Sequence, residues 1–352
     1  MGNANAKEKF IADISDFIQL LSNDRSQDVI ARRFGLGAQN SQTLEKIGAA
    51  YHITRERVRQ IENDALKSLR SKRNESIEPY MNALHTTIEQ NGGFMREDAL
   101  VKEFVQANLG RNANEEVIVR GGVLFLLNVS PHALYRKEDQ DFFAGWYTDK
   151  ASVGQALAMV KHLVDHFAAS NAVLDLDGVY MRISATHRDA DKDAVRSYLE
   201  AAKAIKSNVF ADYGLEHWPE ISPKSVRDKI FLIFKKSNTP LHFREISFLI
   251  NRANFSLKPV LAQTVHNELI KDKRFVLVGR GIYALKQWGY EPGTIREVIR
   301  SILTKNKRPM TVDEIVGEVM QARQVKKSTV LLNLQNFTEF KRTEKNTYTL
   351  EM

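Results

Sequence analysis

The residues best suited to chemistry in this chain sit in one short stretch, TRERVRQIE at 54–62. If that stretch is helical, Arg55 and Arg59 stand one turn apart, as do Glu56 and Gln60, so all four share an outer face. Arginine can bond guanine in bidentate fashion, glutamine can do the same to adenine, and glutamate can accept from cytosine. A polar first turn with this set, on the second helix of a tight pair, is the arrangement that enters a DNA major groove.

The elements that must position these residues are legible around them. Thr43 is a fitting cap for a short helix that carries Leu44 and Ile47 on one face, and Gly48 lets a following helix pack closely. Thr54 caps the second, longer helix. There Val58, Ile61, Ala65 and Leu69 recur at spacings of three and four, a stripe to be buried. The spacing predicts a helix-turn-helix.

RSQDVIARRFGL (25–36), followed by TLEKIG and ITRERVRQIE, resembles region four, the promoter-reading domain of the seventy-type bacterial sigma factors, over about residues 22–73. The resemblance implies a domain that reads the −35 element and docks on the flap of the RNA polymerase β subunit. Carried over by position, it makes Arg55, Glu56 and Gln60 readers of base edges. It sets Arg25, Arg33, Thr43, Leu44, Arg57 and Arg59 on or beside the phosphate backbone. The chain also departs from that family. Only 24 residues precede Arg25, and their Phe10 and Phe17 fall at amphipathic helical spacing, which reads as core. The expectation is a borrowed DNA reader, not a complete initiation factor that melts promoters.

Charge is distributed unevenly along the 352 residues, whose formal balance is +8. Residues 21–75 carry +4, residues 76–220 carry −7, and residues 221–352 hold 24 basic against 12 acidic side chains. Basic blocks on separate domains are the usual footprint of polyanion binding, because each cation set at a phosphate releases condensed counterions. The acidic middle reads as a spacer, a partner surface or a polymerase contact. The absence of cysteine excludes a disulfide scaffold, thiolate zinc sites and a cysteine nucleophile. The longest apolar run, around Val123 to Val129, is too short to cross a bilayer. With no secretory signal at Met1 to Lys9, a cytoplasmic, nucleoid-associated bacterial protein is expected.

Beyond the first domain a period near 70 residues emerges. Trp146, Trp218 and Trp288 are 72 and 70 apart, and PLHFREI (240–246) and PMTVDEI (309–315) are 69 apart. Each of those two segments follows an amphipathic helix, with Val226, Ile230, Ile233 and Phe234 in one and Ile295, Val298, Ile299 and Ile302 in the other. GGFMREDAL (92–100) reads as a diverged copy. Thr294 with Glu297, and Thr311 with Glu314, form capping boxes. RFVLVGRGIYALKQW (274–288) and FKRTEKNTYTL (340–350) read as hairpins. Three helices followed by a hairpin make a winged helix, whose third helix commonly enters the groove while its wing follows the phosphates. That assigns Gln263, His266, Asn267 and Lys271 to one third helix, with Arg280 at its wing tip. It assigns Lys326, Lys327, Thr329 and Asn333 to the other, with Lys341, Arg342 and Lys345 on its wing. Residues 222–290 are similar to the HARE-type helix-turn-helix, a winged-helix module found in bacteria on the polymerase delta subunit and beside restriction enzymes.

Signals for catalysis are weak. His162 and His166 lie four apart in KHLVDHF without a third ligand at matching spacing, so they read as a structural or solvent-facing pair. LDLDG (174–178) sets two Asp before a Gly but lacks the remaining acidic ligands and the closing Glu of a calcium loop, so it reads as a hairpin turn. No glycine pattern forms a dinucleotide fingerprint or a phosphate loop. The expectation is therefore no enzyme, no cofactor and no metal.

The fold expected is mainly α: an N-terminal helix-turn-helix followed by tandem winged-helix units, each α plus a small β-hairpin. The segments are 1–75, 76–148, 149–220 (a diverged unit and connector), 221–290 and 291–352. Connector residues 208–223 are expected to join units through buried aromatics. The partners expected are double-stranded DNA and RNA polymerase, with no membrane and the oligomeric state left open. A second reading is a polymerase-associated, delta-like scaffold without specific DNA readout.

Overall fold

The computed structural model describes residues 2–36, 40–110, 117–187, 191–255, 257–290, 293–323, 325–343 and 347–351. Most of them are helical, and they fall into two compact units. An N-terminal unit spans 1–207 and 211–216, and a C-terminal unit spans 208–210 and 217–352.

The N-terminal unit opens with α1 (Gly2–Gln19), α2 (Asp24–Phe34), α3 (Leu44–Tyr51) and α4 (Arg55–Arg70). Their boundaries follow from local chemistry. The Asn23, Thr43 and Thr54 side chains each accept a hydrogen bond from a backbone N–H in the first turn of α2, α3 and α4 respectively. Between α3 and α4 the chain reverses through His52, which is left-handed at φ 53°. Gly48 makes that reversal possible, because a β-carbon there would stand 2.7 Å from the Ile53 carbonyl oxygen. Val29, Ile47 and Val58 form the small core of the helix pair. Phe10 and Phe17 of α1 are buried, in keeping with the reading of them as core.

Next come α5 (Glu78–Gln90), β1 (Phe94–Arg96), α6 (Glu97–Asn108), α7 (Val117–Val129), β2 (Leu134–Arg136) and β3 (Gly145–Tyr147). The strands form an antiparallel sheet in the order β1-β3-β2. Helix α7 is apolar on nearly every side, and a helix of that composition belongs inside a protein. It packs against α1, α2, α4, α5 and α6. One hydrophobic core consequently runs from Phe10 through Leu69 and Phe125 to Trp146, spanning the segments 1–75 and 76–148. The unit closes with α8 (Lys150–Ser170), α9 (Leu176–Ser184), α10 (Lys192–Ala201), β4 (Ile205–Ser207) and β5 (Tyr213–Leu215). Helix α10 is anchored to β1, where the Ser197 hydroxyl donates to the Phe94 carbonyl at 2.8 Å. The LDLDG segment is not a hairpin turn. Asp175 caps α9 by accepting from the Gly178 N–H, the use of aspartate that a following amphipathic helix favours.

The C-terminal unit repeats one element order twice. The first copy is α11 (Val226–Ser237), β6 (Leu241–His242), α12 (Phe243–Arg252), α13 (Ala262–Lys271), β7 (Phe275–Gly279) and β8 (Ile282–Leu285). The second is α14 (Ile295–Asn306), β9 (Met310–Thr311), α15 (Val312–Ala322), α16 (Lys327–Asn336), β10 (Phe340–Arg342) and β11 (Thr347–Leu350). Their sheets run β6-β8-β7 and β9-β11-β10, the same order as β1-β3-β2. Both expected capping boxes form, and Ser225 with Asp228 adds a third at α11. Buried Arg323, at the end of α15, donates to the carbonyls of Leu277 in β7 and of Gly293, so it ties the two copies together.

Candidate nucleic-acid interface

One face of α4 serves the fold and the other serves whatever lies outside. Val58, Ala65, Leu66 and Leu69 are buried, whereas Arg55, Glu56, Arg57, Arg59 and Gln60 are exposed. The exposed side chains are ordered by one another. Arg59 grips Glu56 through two bonds of 2.9 and 2.6 Å, Arg57 donates to the Gln60 side-chain oxygen at 3.0 Å, and Arg55 meets Glu45 of α3 at 3.0 Å. The bond from Arg59 holds the Glu56 carboxyl below its usual range. These surface pairs are weak, each worth roughly 0–1 kcal/mol, so DNA could exchange them for its own groups at small cost. Together they hold a row of donors and acceptors extended from the first two turns of the helix.

The other residues expected near phosphate differ in how they are held. Thr43 is exposed and caps α3, while the Leu44 side chain packs partly into the helix-pair core. Arg25 is half-buried with its guanidinium over the Tyr51 ring at 4.7 Å. The Tyr51 hydroxyl donates to Asp28 at 2.6 Å, and that bond leads in raising its pKa. Arg33 has an internal task. It pairs with Glu62 of α4 at 3.2 Å and donates to the Gln42 carbonyl at 3.3 Å, bracing α2, α4 and the approach to α3. Neither Glu45 nor Glu62 stands out in the sequence. The Arg33–Glu62 pair spans 29 residues and leaves no local signature.

In the C-terminal unit, Gln263, Asn267 and Lys271 lie exposed on α13, where Gln263 donates to Asn267 at 3.1 Å. His266 is instead half-buried within an aromatic stack, 4.6 Å from the Phe243 ring and 5.9 Å from Tyr283. Arg280 is exposed at the turn between β7 and β8. On α16, Lys326 stands at the N-cap and Lys327 pairs with Asp313 at 2.7 Å. Thr329 and Asn333 are half-buried, and the Asn333 amide donates to the Thr329 carbonyl. Lys341 and Arg342 are exposed on β10, while Lys345 lies outside the described residues.

Among the described residues nothing comparable is assembled for metal chemistry. The His162 and His187 rings meet edge-on at 6.2 Å, and among the described residues no three His, Asp or Glu side chains gather as a metal site. Among the same residues no helix is long and apolar enough to cross a membrane.

Comparison with known proteins converges on the helix pair. Residues 23–71 match the family model described as Sigma-70, region 4. The chain is similar to RNA polymerase sigma factor SigA1 of Synechococcus elongatus, 42% identical over 72 residues, which is 20% of this chain and 18% of that protein. To RNA polymerase sigma factor RpoD of Helicobacter pylori it is 47% identical over 66 residues, 18% of this chain and 10% of that protein. To RNA polymerase sigma factor SigA of Microcystis aeruginosa it is 43% identical over 65 residues, 18% of this chain and 15% of that protein. The chain thus spans less than a fifth of the length of these curated relatives.

Proposed function

We propose that this chain is a sequence-specific DNA-binding protein of bacterial transcription initiation or its regulation. It reads a −35-like promoter element through α3 and α4. The observation that carries this reading is the exposed row Arg55, Glu56, Arg57, Arg59 and Gln60 on a helix whose opposite face is core, inside the segment that matches region four. In this reading Arg55, Glu56 and Gln60 meet base edges. Arg57, Arg59, Arg25 and the N-terminus of α3 at Thr43 and Leu44 lie along the phosphates. Arg33 acts from behind, by fixing α2 to α4.

The three repeats of α-β-α-α-β-β order support reading residues 76–148, 221–290 and 291–352 as winged helices, the middle one of HARE type. The two C-terminal copies, with 24 basic against 12 acidic residues in 221–352, lengthen the footprint through α13, α16 and the Arg280 and Lys341–Arg342 wings. Weak readers on one chain gain affinity through effective concentration. RNA polymerase is the protein partner, met at its β flap, and the chain works in the bacterial cytoplasm on the nucleoid.

One observation favours a second reading, a polymerase-associated scaffold. In residues 76–148 the third helix, α7, which would be the groove helix of a winged helix, is buried against α1, α2 and α4. That copy holds the fold and does not read DNA.

The deciding experiment titrates the full chain against a −35-like duplex and a scrambled duplex across salt. A preference of about tenfold that persists as salt rises, worth about 1.4 kcal/mol, is expected for base readout. Equal affinities that fall steeply with salt would leave phosphate binding alone. No binding to either duplex, with polymerase co-purifying after nuclease treatment, would favour the scaffold.

A further inference from the structure

A stripe on α12 is made of residues that the proposed DNA contacts do not use. Arg244, Phe248 and Arg252 are spaced by four, so they line one side of the helix, and the two arginines are separated by about 12 Å of helix rise. All three are exposed, Phe248 by 63%. Several arginines of this unit hold a carboxylate, as Arg227 holds Glu268, Arg274 holds Asp272 and Arg308 holds Glu314. Among the described residues Arg244 and Arg252 hold none, and Arg244 rests over the neighbouring Phe243 ring at 5.8 Å. Glu245 is the one acidic side chain on this part of α12.

The loop before α13 is tied to the same helix. Asn251 receives the Val260 N–H and, with Ser247, donates to the Val260 carbonyl, at distances of 2.7 to 3.0 Å. These bonds pin Val260 to α12, and the next residue, Leu261, stands 69% exposed. A large aromatic open to water between two cations, with an exposed leucine on the segment pinned to the same helix, forms an anchor site with a charged rim.

We infer that the α12 stripe docks an acidic amphipathic helix of a partner protein. Phe248 and Leu261 take the partner's apolar side chains, and Arg244 and Arg252 take carboxylates about two turns apart on it. Charge complementarity selects this occupant, since the surrounding segment holds twice as many basic as acidic residues. The leucine argues against single-stranded nucleic acid, whose bases need ring faces to stack on. The stripe's role does not depend on the reading of α4.

The test uses the full chain and a fluorescent synthetic peptide of about four helical turns, with leucines along one side and glutamates along the flanks. Controls are a peptide of the same composition with the leucines scattered, and an oligothymidylate. Anisotropy is expected to show the amphipathic peptide binding at least about tenfold more tightly than the scattered one. Phe248→Ala should weaken it by about tenfold or more. Arg244→Glu with Arg252→Glu should abolish binding, and a peptide with lysine in place of glutamate should restore it to that variant. Circular dichroism checks that these surface variants fold. The inference is overturned if both peptides bind alike, or if the variants bind as the wild type does. It is equally overturned if Phe248 supports oligothymidylate binding but no peptide binding, or if light scattering shows that Phe248 holds two copies together.

Discussion

Gly121 of α7 lies so close to Phe34 of α2 that a β-carbon on it would stand 1.9 Å from the Phe34 carbonyl oxygen. The obstacle is backbone, so no side-chain rotation can relieve it, and α7 can lie against the helix pair only because position 121 is bare. Gly121→Ala should therefore push α7 off α2. Overpacking of this kind costs about 1–3 kcal/mol. In a unit of this size that is roughly 2–4 °C of melting temperature per kcal/mol. Gly154→Ala in α8 is the matched control. Nothing lies within 4 Å of its new methyl, and helix propensity should make it neutral or stabilising by up to about 1 kcal/mol. Thermal melts by circular dichroism compare the two. Equal melts would mean that α7 is not held as closely as its packing indicates.

Readout by α4 should separate from simple attraction. Arg55→Ala with Gln60→Ala removes two base-reading groups and one charge. The preference for a −35-like duplex should fall by about 1–3 kcal/mol for each bidentate pairing with a base that is removed, while the salt slope changes by about one phosphate. Unchanged discrimination in the double variant would falsify the assignment of the reading helix.

Glu56→Gln tests the same face in the opposite direction. It removes the carboxylate that now holds Arg59 through two bonds. Arg59 becomes free for phosphate, so affinity for scrambled DNA should rise and its salt slope steepen by about one. Selectivity should drop, because the acceptor for cytosine is weakened. Binding isotherms at several salt concentrations on both duplexes check the pair of effects together.

The Arg33–Glu62 brace carries a pH signature. The Glu62 side chain is 13% exposed, and burial raises its pKa above the usual carboxylate range despite the opposing pull of Arg33. A carboxyl raised in the fold contributes stability that is fully present below its unfolded pKa and is lost as pH rises through the folded value. Arg33 limits that loss, so Arg33→Met should destabilise the chain at neutral pH and much less near pH 4, where Glu62 is protonated. Since Arg33 is 37% exposed and water screens the pair, the neutral-pH cost should be about 1 kcal/mol, and Glu62→Gln in the same chain should recover most of it. Denaturant unfolding at the two pH values makes the comparison. An Arg33→Met cost that is equal at both would mean that the brace is not electrostatic.

The parts of this fold that are legible in the sequence are those fixed by neighbours in the chain. Thr43 and Thr54 cap α3 and α4 because a hydroxyl reaches its own first turn, and the Thr294–Glu297 and Thr311–Glu314 boxes form for the same reason. The exposed row on α4 follows from the spacing of its buried stripe. What depends on distant partners is not legible. The run VIVRGGVLFLLNV at 117–129 announces a buried helix but not what buries it, so the core it shares with the helix pair becomes apparent only in three dimensions. Arg33 carries no local mark of Glu62, and His266 none of Phe243 and Tyr283, so a side chain expected to face DNA is held inside an aromatic stack. Asp175 is ambiguous because a turn and a helix cap use the same residue in the same way, and only the following turns of helix tell them apart.

Alkaline pH should loosen the N-terminal unit through two tyrosines that join its segments. The Tyr198 hydroxyl of α10 donates to the Gly92 carbonyl beside β1, and Tyr80 of α5 donates to Asp13 of α1 at 2.9 Å. Burial, the leading cause in each case, pushes both phenols from 10.0 up to about 12. The fold therefore favours the protonated form. The stability this contributes is complete below the unfolded value of 10.0, and it drains away as pH rises through the folded value of about 12. Melting temperature should thus hold up to about pH 10 and then fall. Tyr198→Phe with Tyr80→Phe should cost about 1 kcal/mol per lost hydrogen bond at pH 8 yet flatten the alkaline decline. Melts at pH 8 and pH 11, with near-ultraviolet absorbance following phenolate formation, give both readings. If the double variant declines as steeply as the wild type, the loss belongs to other groups, and the two hydroxyls do not act as proton-linked ties between α10 and β1 and between α5 and α1.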